Sequence, residues 1–195
     1  DPLFTVAYTD VLGGLVLVSA DDRGMASSQN EQDNRRYAKA ASVMMLEPAD
    51  AQEAYDFLFD AFTLSETWNL PVLFRMTTRV CHSKSLVMPR TPEPPKKTSH
   101  FVRNMHSYVM IPGFARPAHR RMREKIARIA EWNEQSDLNR VYEGDKSLGI
   151  ITSSVAFLHA REAAPDARIL KLGMTYPLPI NLIRDFAASV ERCLV

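Results

Sequence analysis

Residues 43–78 read VMMLEPADAQEAYDFLFDAFTLSETWNLPVLFRMTT, and the fold class turns on this stretch. Two short apolar runs, VMML and PVLFRMTT, bracket a segment with helical spacing. Glu47-Pro48 closes the first run, and Pro71 opens the second at a position where a strand tolerates a missing N–H. Asp50 is a candidate N-cap, with Glu53 three residues on in the manner of a capping box. Ala54, Phe57, Leu58, Ala61, Phe62 and Ser65 share one face, the expected buried side, while Glu53, Asp56 and Asp60 point away from it. A strand–helix–strand unit of this length is a βαβ crossover, so a parallel sheet with helices on both faces is expected.

Upstream, GGLVLVSA (13–20) is an apolar run without polar alternation, the pattern of a strand covered on both faces. Downstream, MPRTPEPPKKTSH (88–100) carries four prolines and reads as an extended linker. YVMIPGFARP is expected to be extended. The spacing of Met122, Ile126, Ile129 and Ala130 predicts a long amphipathic helix from about Pro117 to Gln135. A second α/β unit follows: LGIITSS as strand, VAFLHAREAA as helix, ARILKLG as strand and PLPINLIRDFAASVERC as helix, with Pro179 in its first turn. Leu194-Val195 reads as the opening of another strand, which gives the chain the look of a truncated piece.

Charge follows the same division. Residues 1–88 carry 7 basic and 12 acidic side chains, residues 89–140 carry 11 and 5, and residues 141–195 carry 6 and 6, for a net charge of +1 overall. Three units are therefore expected: 1–88, 89–140 and 141–195. The apolar runs are too short to cross a bilayer, and the first residues lack a basic and apolar leader, so a cytoplasmic chain without membrane contact is expected. Cys81 and Cys193 match no metal or redox spacing and read as buried or tolerated thiols in a reducing compartment. The five histidines show no ligand spacing. The basic run ARPAHRRMREKIAR lacks interleaved aromatics, and Glu124 and Arg128 are spaced as an i,i+4 pair, so a solvated helix face is expected and nucleic acid is not.

Two loops are candidate sites. SADDRGMASSQNEQDNR (19–35) follows the first strand at the edge where ligands of open parallel sheets bind. Asp21 and Asp22 lie at that edge, Gly24 permits positive φ, and Ser27 and Ser28 are expected to cap a helix starting near Asn30. A turn with a capped surface helix accounts for the same residues. TTRVCHSKS (77–85) ends the third strand at the same edge, bringing Arg79, His82 and Ser83 towards the first loop. Ser83 lies in no G-x-S-x-G elbow, so a hydrolase triad has no sequence support. A structural histidine at a strand end is the simpler reading of His82.

GGLVLVSADDRGMASSQNEQDNRRYAK, together with MLEPADAQEAYDF, PVLFRMTTRVCHSKS, LNRVYEGDKSLGIITSSVAFLHA and ILKLGMTYPLPINLIRDFA, closely resembles the α subunits of the indolepyruvate:ferredoxin oxidoreductase family. The resemblance implies a thiamine-diphosphate-dependent 2-oxoacid:ferredoxin oxidoreductase, which converts an aryl pyruvate to an acyl-CoA. It implies thiamine diphosphate with Mg and iron–sulfur clusters as cofactors of the full enzyme, and a β subunit, ferredoxin and coenzyme A as partners. Residues 1–88 would be the later part of a pyrimidine-binding domain, and residues 141–195 the first part of a transketolase-C-like domain. Asp21, Asp22, Gly24, Met25, Ser27, Ser28, Gln29, Asn30, Glu31, Gln32, Asp33 and Arg35 would form the loop beside cofactor and substrate. Arg79, His82 and Ser83 would lie on the second strand-end loop.

Arg23 and Ala26 depart from the family's proline and histidine. The family's activating glutamate would lie upstream of Asp1-Pro2-Leu3, and its diphosphate and ferredoxin-type cysteine motifs downstream of Val195. The isolated chain is thus expected to be catalytically inert and, with unpaired sheet edges, to self-associate. A stand-alone assembly or regulatory module of the same fold is the alternative.

Overall fold

The computed structural model describes residues 2–91 and 100–195; residues 92–99, the middle of the expected proline-rich linker, lie outside the described residues. The stretch 43–78 forms the expected unit. Strand β2 (Met44–Leu46) leads through helix α3 (Ala51–Trp68) to strand β3 (Val72–Thr77), and β2 and β3 are parallel neighbours. The Asp50 carboxylate accepts the Glu53 N–H at 2.8 Å, and the Glu53 carboxylate accepts the Ala49 N–H at 2.8 Å, so both ends of the cap are satisfied. The helix stops at Asn69 in the left-handed region, φ 49°.

The buried face of α3 is Phe57, Ala61, Leu64 and Ser65. Leu58 and Phe62 are exposed, and Glu53 is not free in solvent. It pairs with Lys171, which the second sheet delivers from 118 residues away. Lys171 is fully buried, its ammonium 4.8 Å from the centre of the Phe57 ring. Burial pulls it below the usual lysine range, against the Glu53 charge that raises it.

Ahead of this unit lie helix α1 (Pro2–Val6), strand β1 (Val16–Asp21) and helix α2 (Arg35–Ala41). Strand β1 pairs with β3 in parallel, from Val16 opposite Val72 to Asp21 opposite Thr77. It is an edge strand, so Leu17 and Val18 are exposed and the two-sided cover expected from its composition is not found.

Helix α4 (Thr78–His82) closes the first half; helices α5 (Met105–Tyr108) and α6 (Pro112–Asn133) follow. The segment expected to be extended before α6 is non-helical only over 109–111; Tyr108 ends α5 and the rest belongs to α6. Pro112, rather than Pro117, occupies the first turn, and Pro117 falls inside the helix. The carbonyl it leaves without a donor belongs to exposed Gly113 and can turn to water. Ala118, Met122, Ile129 and Asn133 form the buried stripe of α6, which joins the core of the first sheet.

The remaining elements are strands β4 (Arg140–Tyr142) and β5 (Asp145–Ser153), helix α7 (Ala156–Ala163), strands β6 (Ala167–Leu172) and β7 (Met174–Tyr176), helix α8 (Ile180–Ala188) and strand β8 (Cys193–Leu194). Two four-stranded sheets result, in the orders β1-β3-β2-β7 and β4-β6-β5-β8. The expected final strand is present as β8, parallel to β5. After β6 the chain leaves the second sheet at Gly173, and β7 joins the first, antiparallel to β2. Both sheets are mostly parallel and are flanked by helices. Cys81 and Cys193 are exposed, so neither is a core thiol. No helix of the described residues is long and apolar enough to cross a membrane.

Candidate functional site

The register between β1 and β3 brings both candidate loops to one edge. Asp21 and Thr77 are paired across the strands, and the chain turns away directly after each. An open cleft of ≈ 1230 Å³ lies there, lined also by Ile151–Ala156 and by Thr175, Tyr176 and Leu178. Of the first loop, Asp22, Gly24, Glu31, Asp33 and Arg35 line it; of the second segment, which is not the expected loop but helix α4 with Ser83 as its C-cap, Arg79 and His82 do. Asp21, Met25, Ser27, Ser28, Gln29, Asn30, Gln32 and Ser83 are not part of its lining.

Most acidic side chains of the first loop are committed to the loop itself. Asp22 is buried, and its carboxylate accepts N–H groups from Ala26 (3.1 Å), Ser27 (2.6 Å) and Ser28 (2.7 Å), and the Thr78 hydroxyl at 3.0 Å. Ser27 and Ser28 therefore cap no helix near Asn30. Their amides close a loop around Asp22, and helix α2 begins only at Arg35. Gly24, at φ 84°, and Met25, at φ 53°, take the left-handed turn this wrap requires, and the Gly24 N–H donates to Glu31 at 2.8 Å. Asp33 is held by Arg35, and Gln32 donates to Asn30. The Ser83 hydroxyl donates to the Val80 carbonyl, a structural bond.

The hydrogen bonds from Ser27 first, aided by Thr78, Ser28 and Ala26, hold the Asp22 carboxyl well below the usual carboxylate range. A carboxyl whose folded pKa is depressed supplies stability above the ordinary carboxylate pKa and loses it as pH falls through the lowered value. Asp22→Asn is expected to speed amide hydrogen exchange at residues 26–28 by roughly 10-fold at neutral pH. In the parent chain the same loosening should come only under strongly acid conditions. Unchanged exchange in the variant would show that the charge does not order the loop.

Beneath the loop lies a buried ion triad that residue-by-residue reading of the sequence missed. Arg75 of β3 donates from Nε to Asp21 at 2.8 Å and from Nη1 to Glu47, and all three side chains are at least 97% buried. Asp21 also accepts the Asn34 N–H at 3.0 Å, which ties the end of the loop to the sheet. The signal was present in the sequence: Glu47 follows VMML and Arg75 interrupts PVLFRMTT, two opposite charges where strands should be apolar.

No protein-family model matches the chain. It is 40% identical to the indolepyruvate oxidoreductase subunit IorA of Methanothermobacter thermautotrophicus over 201 aligned residues, and 43% identical to that of Methanothermobacter marburgensis over 203. The corresponding subunit of Pyrococcus abyssi is 39% identical over 207. Each alignment covers 100% of this chain and 32% of the relative, so the chain spans about a third of the length of the curated relatives it matches. Among solved structures, a 2-oxoglutarate:ferredoxin oxidoreductase from Magnetococcus marinus superposes with a TM-score of 0.68, covering 99% of this chain and 42% of that one at 13% identity. That superposition supports the fold. With identity sustained over the whole of this chain, it belongs, as a segment of about a third of their length, to the family of indolepyruvate oxidoreductase subunits IorA.

Proposed function

We propose that this chain is the cofactor- and substrate-facing portion of the α subunit of a thiamine-diphosphate-dependent enzyme that oxidises indolepyruvate and related aryl pyruvates to acyl-CoA. Ferredoxin is the electron acceptor, and a β subunit completes the enzyme. The observation that carries this reading is the end-to-end identity of 38–43% with subunits of that name. The cleft at the carboxyl ends of β1 and β3 is where such a fold binds its ligands.

The residues of this chain do not fit the metal or the clusters of that enzyme. Among the described residues no three His, Cys, Asp or Glu side chains are grouped to hold a Mg ion on a diphosphate. The two cysteines sit on different elements, and a cluster needs four thiolates. What the chain supplies is positioning. The amides around Asp22 fix the loop wall, and Arg79 and His82 stand at the cleft where an oxoacid carboxylate would arrive.

The test is anaerobic reduction of ferredoxin by the full-length subunit with its partner, given indolepyruvate and coenzyme A. Reduction dependent on both is expected, and its absence would sink the reading. The 195-residue chain with thiamine diphosphate and Mg is expected to release no CO2 from indolepyruvate. Measurable decarboxylation would overturn that part.

A further inference from the structure

A second cavity, of ≈ 580 Å³, shares no lining residue with the cleft. It is built from α3, the end of α6, β4 and α7, and its volume is in the range of small-molecule sites. The turn from β2 into α3 touches both spaces: Glu47 lines the cleft, and Asp50 and Glu53 line the second cavity.

The charged groups of this cavity are divided by element. On α3, Asp56 and Asp60 share Arg90, whose Nε donates to Asp56 at 2.8 Å and whose Nη1 lies 3.7 Å from Asp60. Two carboxylates on one ion-paired cation leave negative charge in excess there. Asp50 and Glu53 are committed to the helix cap and to Lys171, and Asp137 is exposed. Arg140 of β4 and Arg161 of α7 also line the cavity and have no carboxylate partner among the described residues. The Arg161 guanidinium lies 5.5 Å from the centre of the Tyr142 ring and 5.6 Å from that of Phe157. Burial pushes the Asp60 carboxyl up, while Arg90 and, more weakly, Arg140 pull it down. Arg140 therefore acts on Asp60 without being bonded to it.

The apolar surface within reach belongs to Trp132 and Leu158, 39% and 38% exposed, with the buried Phe57 and Phe157 rings lining the same cavity. Unpaired cations and surplus carboxylate beside aromatic surface are the complement of a zwitterion that carries a ring. The two charges of an α-amino acid sit on one carbon, so the groups that take them must be near each other but not bonded together. Asp60 and Arg140 stand in that relation.

We propose that this cavity binds a free aromatic α-amino acid, with its carboxylate on Arg140 and Arg161, its ammonium on Asp56 and Asp60 and its ring against Trp132 and Leu158. The site goes beyond the function proposed above and does not depend on it.

The experiment is isothermal titration calorimetry on the full-length subunit with its partner. The probes are L-phenylalanine, 3-phenylpropionate, which lacks the ammonium, and phenethylamine, which lacks the carboxylate. L-Phenylalanine is expected to bind with a Kd of roughly 1 mM or below, and each analogue at least ~10-fold more weakly, the worth of one hydrogen bond to a charged group. Arg161→Gln should weaken L-phenylalanine about 10-fold and phenethylamine less than ~3-fold. Asp60→Asn should weaken L-phenylalanine to a similar degree and spare 3-phenylpropionate. Leu158→Trp, a change at an exposed position that costs the fold little, should fill the cavity and abolish binding. Saturating indolepyruvate, without coenzyme A or ferredoxin, should leave the L-phenylalanine affinity unchanged. No binding of L-phenylalanine at about 10 mM overturns the site. Equal binding of the three probes, or a variant that weakens all three alike, also overturns it. Displacement by indolepyruvate, or parent-like binding in Leu158→Trp, puts the ligand elsewhere and overturns it too. The expected pattern in an enzyme that reduces no ferredoxin removes the functional reading and leaves this site standing.

Discussion

Arg75→Met is expected to destabilise the chain by about 3–5 kcal/mol, the cost of stranding buried charges whose partner has been removed. Asp21 and Glu47 are both about 99% or more buried at the side chain, and Arg75 is the cation bonded to each. Without it, two carboxylates face each other through the ends of β1, β3 and β2 with no water to solvate them. Against a typical net stability of about 5–15 kcal/mol this is a large share. At this chain length it corresponds to a fall in melting temperature of roughly 10 °C. The loop should loosen with the sheet, because Asp21 also holds the Asn34 N–H. Replacing all three residues at once with apolar side chains of similar size should restore most of the loss, since a buried ion group and a well-packed apolar one are often close in free energy. Thermal melts of the single and triple variants check both statements, and a single variant that melts with the parent would refute the first.

Gly173→Ala is expected to cost about 2–4 kcal/mol, in the range of overpacking against groups that cannot move aside. Gly173 is the single residue between β6 and β7, where the chain passes from one sheet to the other. A Cβ there would collide with the Leu138 backbone carbonyl and lie 2.9 Å from Phe57 Cζ. The backbone is fixed on both sides: the Glu47 N–H donates to the Gly173 carbonyl at 2.9 Å, and the Gly173 N–H donates to Asn139 at 3.1 Å. The strain should therefore appear as detachment of β7 from β2. Hydrogen exchange at residues 44–47 and 174–176 is expected to rise well before the second sheet opens. Exchange and melting unchanged from the parent would show that the crossing has slack.

The elements with strong local signals were legible in the sequence. The cap at Asp50, the spacing of Phe57 and Ala61 and the flanking apolar runs fixed β2–α3–β3, because a helix or strand face is encoded by residues a few positions apart. Strand β7 was not legible. Three residues carry no periodicity, and its place in the first sheet depends on β2 having an open edge. The cover expected over β1 failed for a related reason: an apolar run shows that a strand can be buried, but not where it lies in the sheet order. The start of α2 was misplaced because Ser27 and Ser28 resemble an N-cap in sequence, while the carboxylate of Asp22 competes for their amides.

For the site, the sequence alone determined its two strand-end segments, their common edge and the family resemblance. Tertiary structure alone decided which side chains are available to a ligand. Asp21 and Asp22, prominent in the sequence, are consumed in holding Arg75 and the loop amides. Residues 28 and 54 apart meet at Arg75 only because parallel strands bring their carboxyl ends side by side. Hydrogen-bonding capacity is used up pair by pair in space, so what remains for a ligand is known only after the sheet order has chosen the pairs.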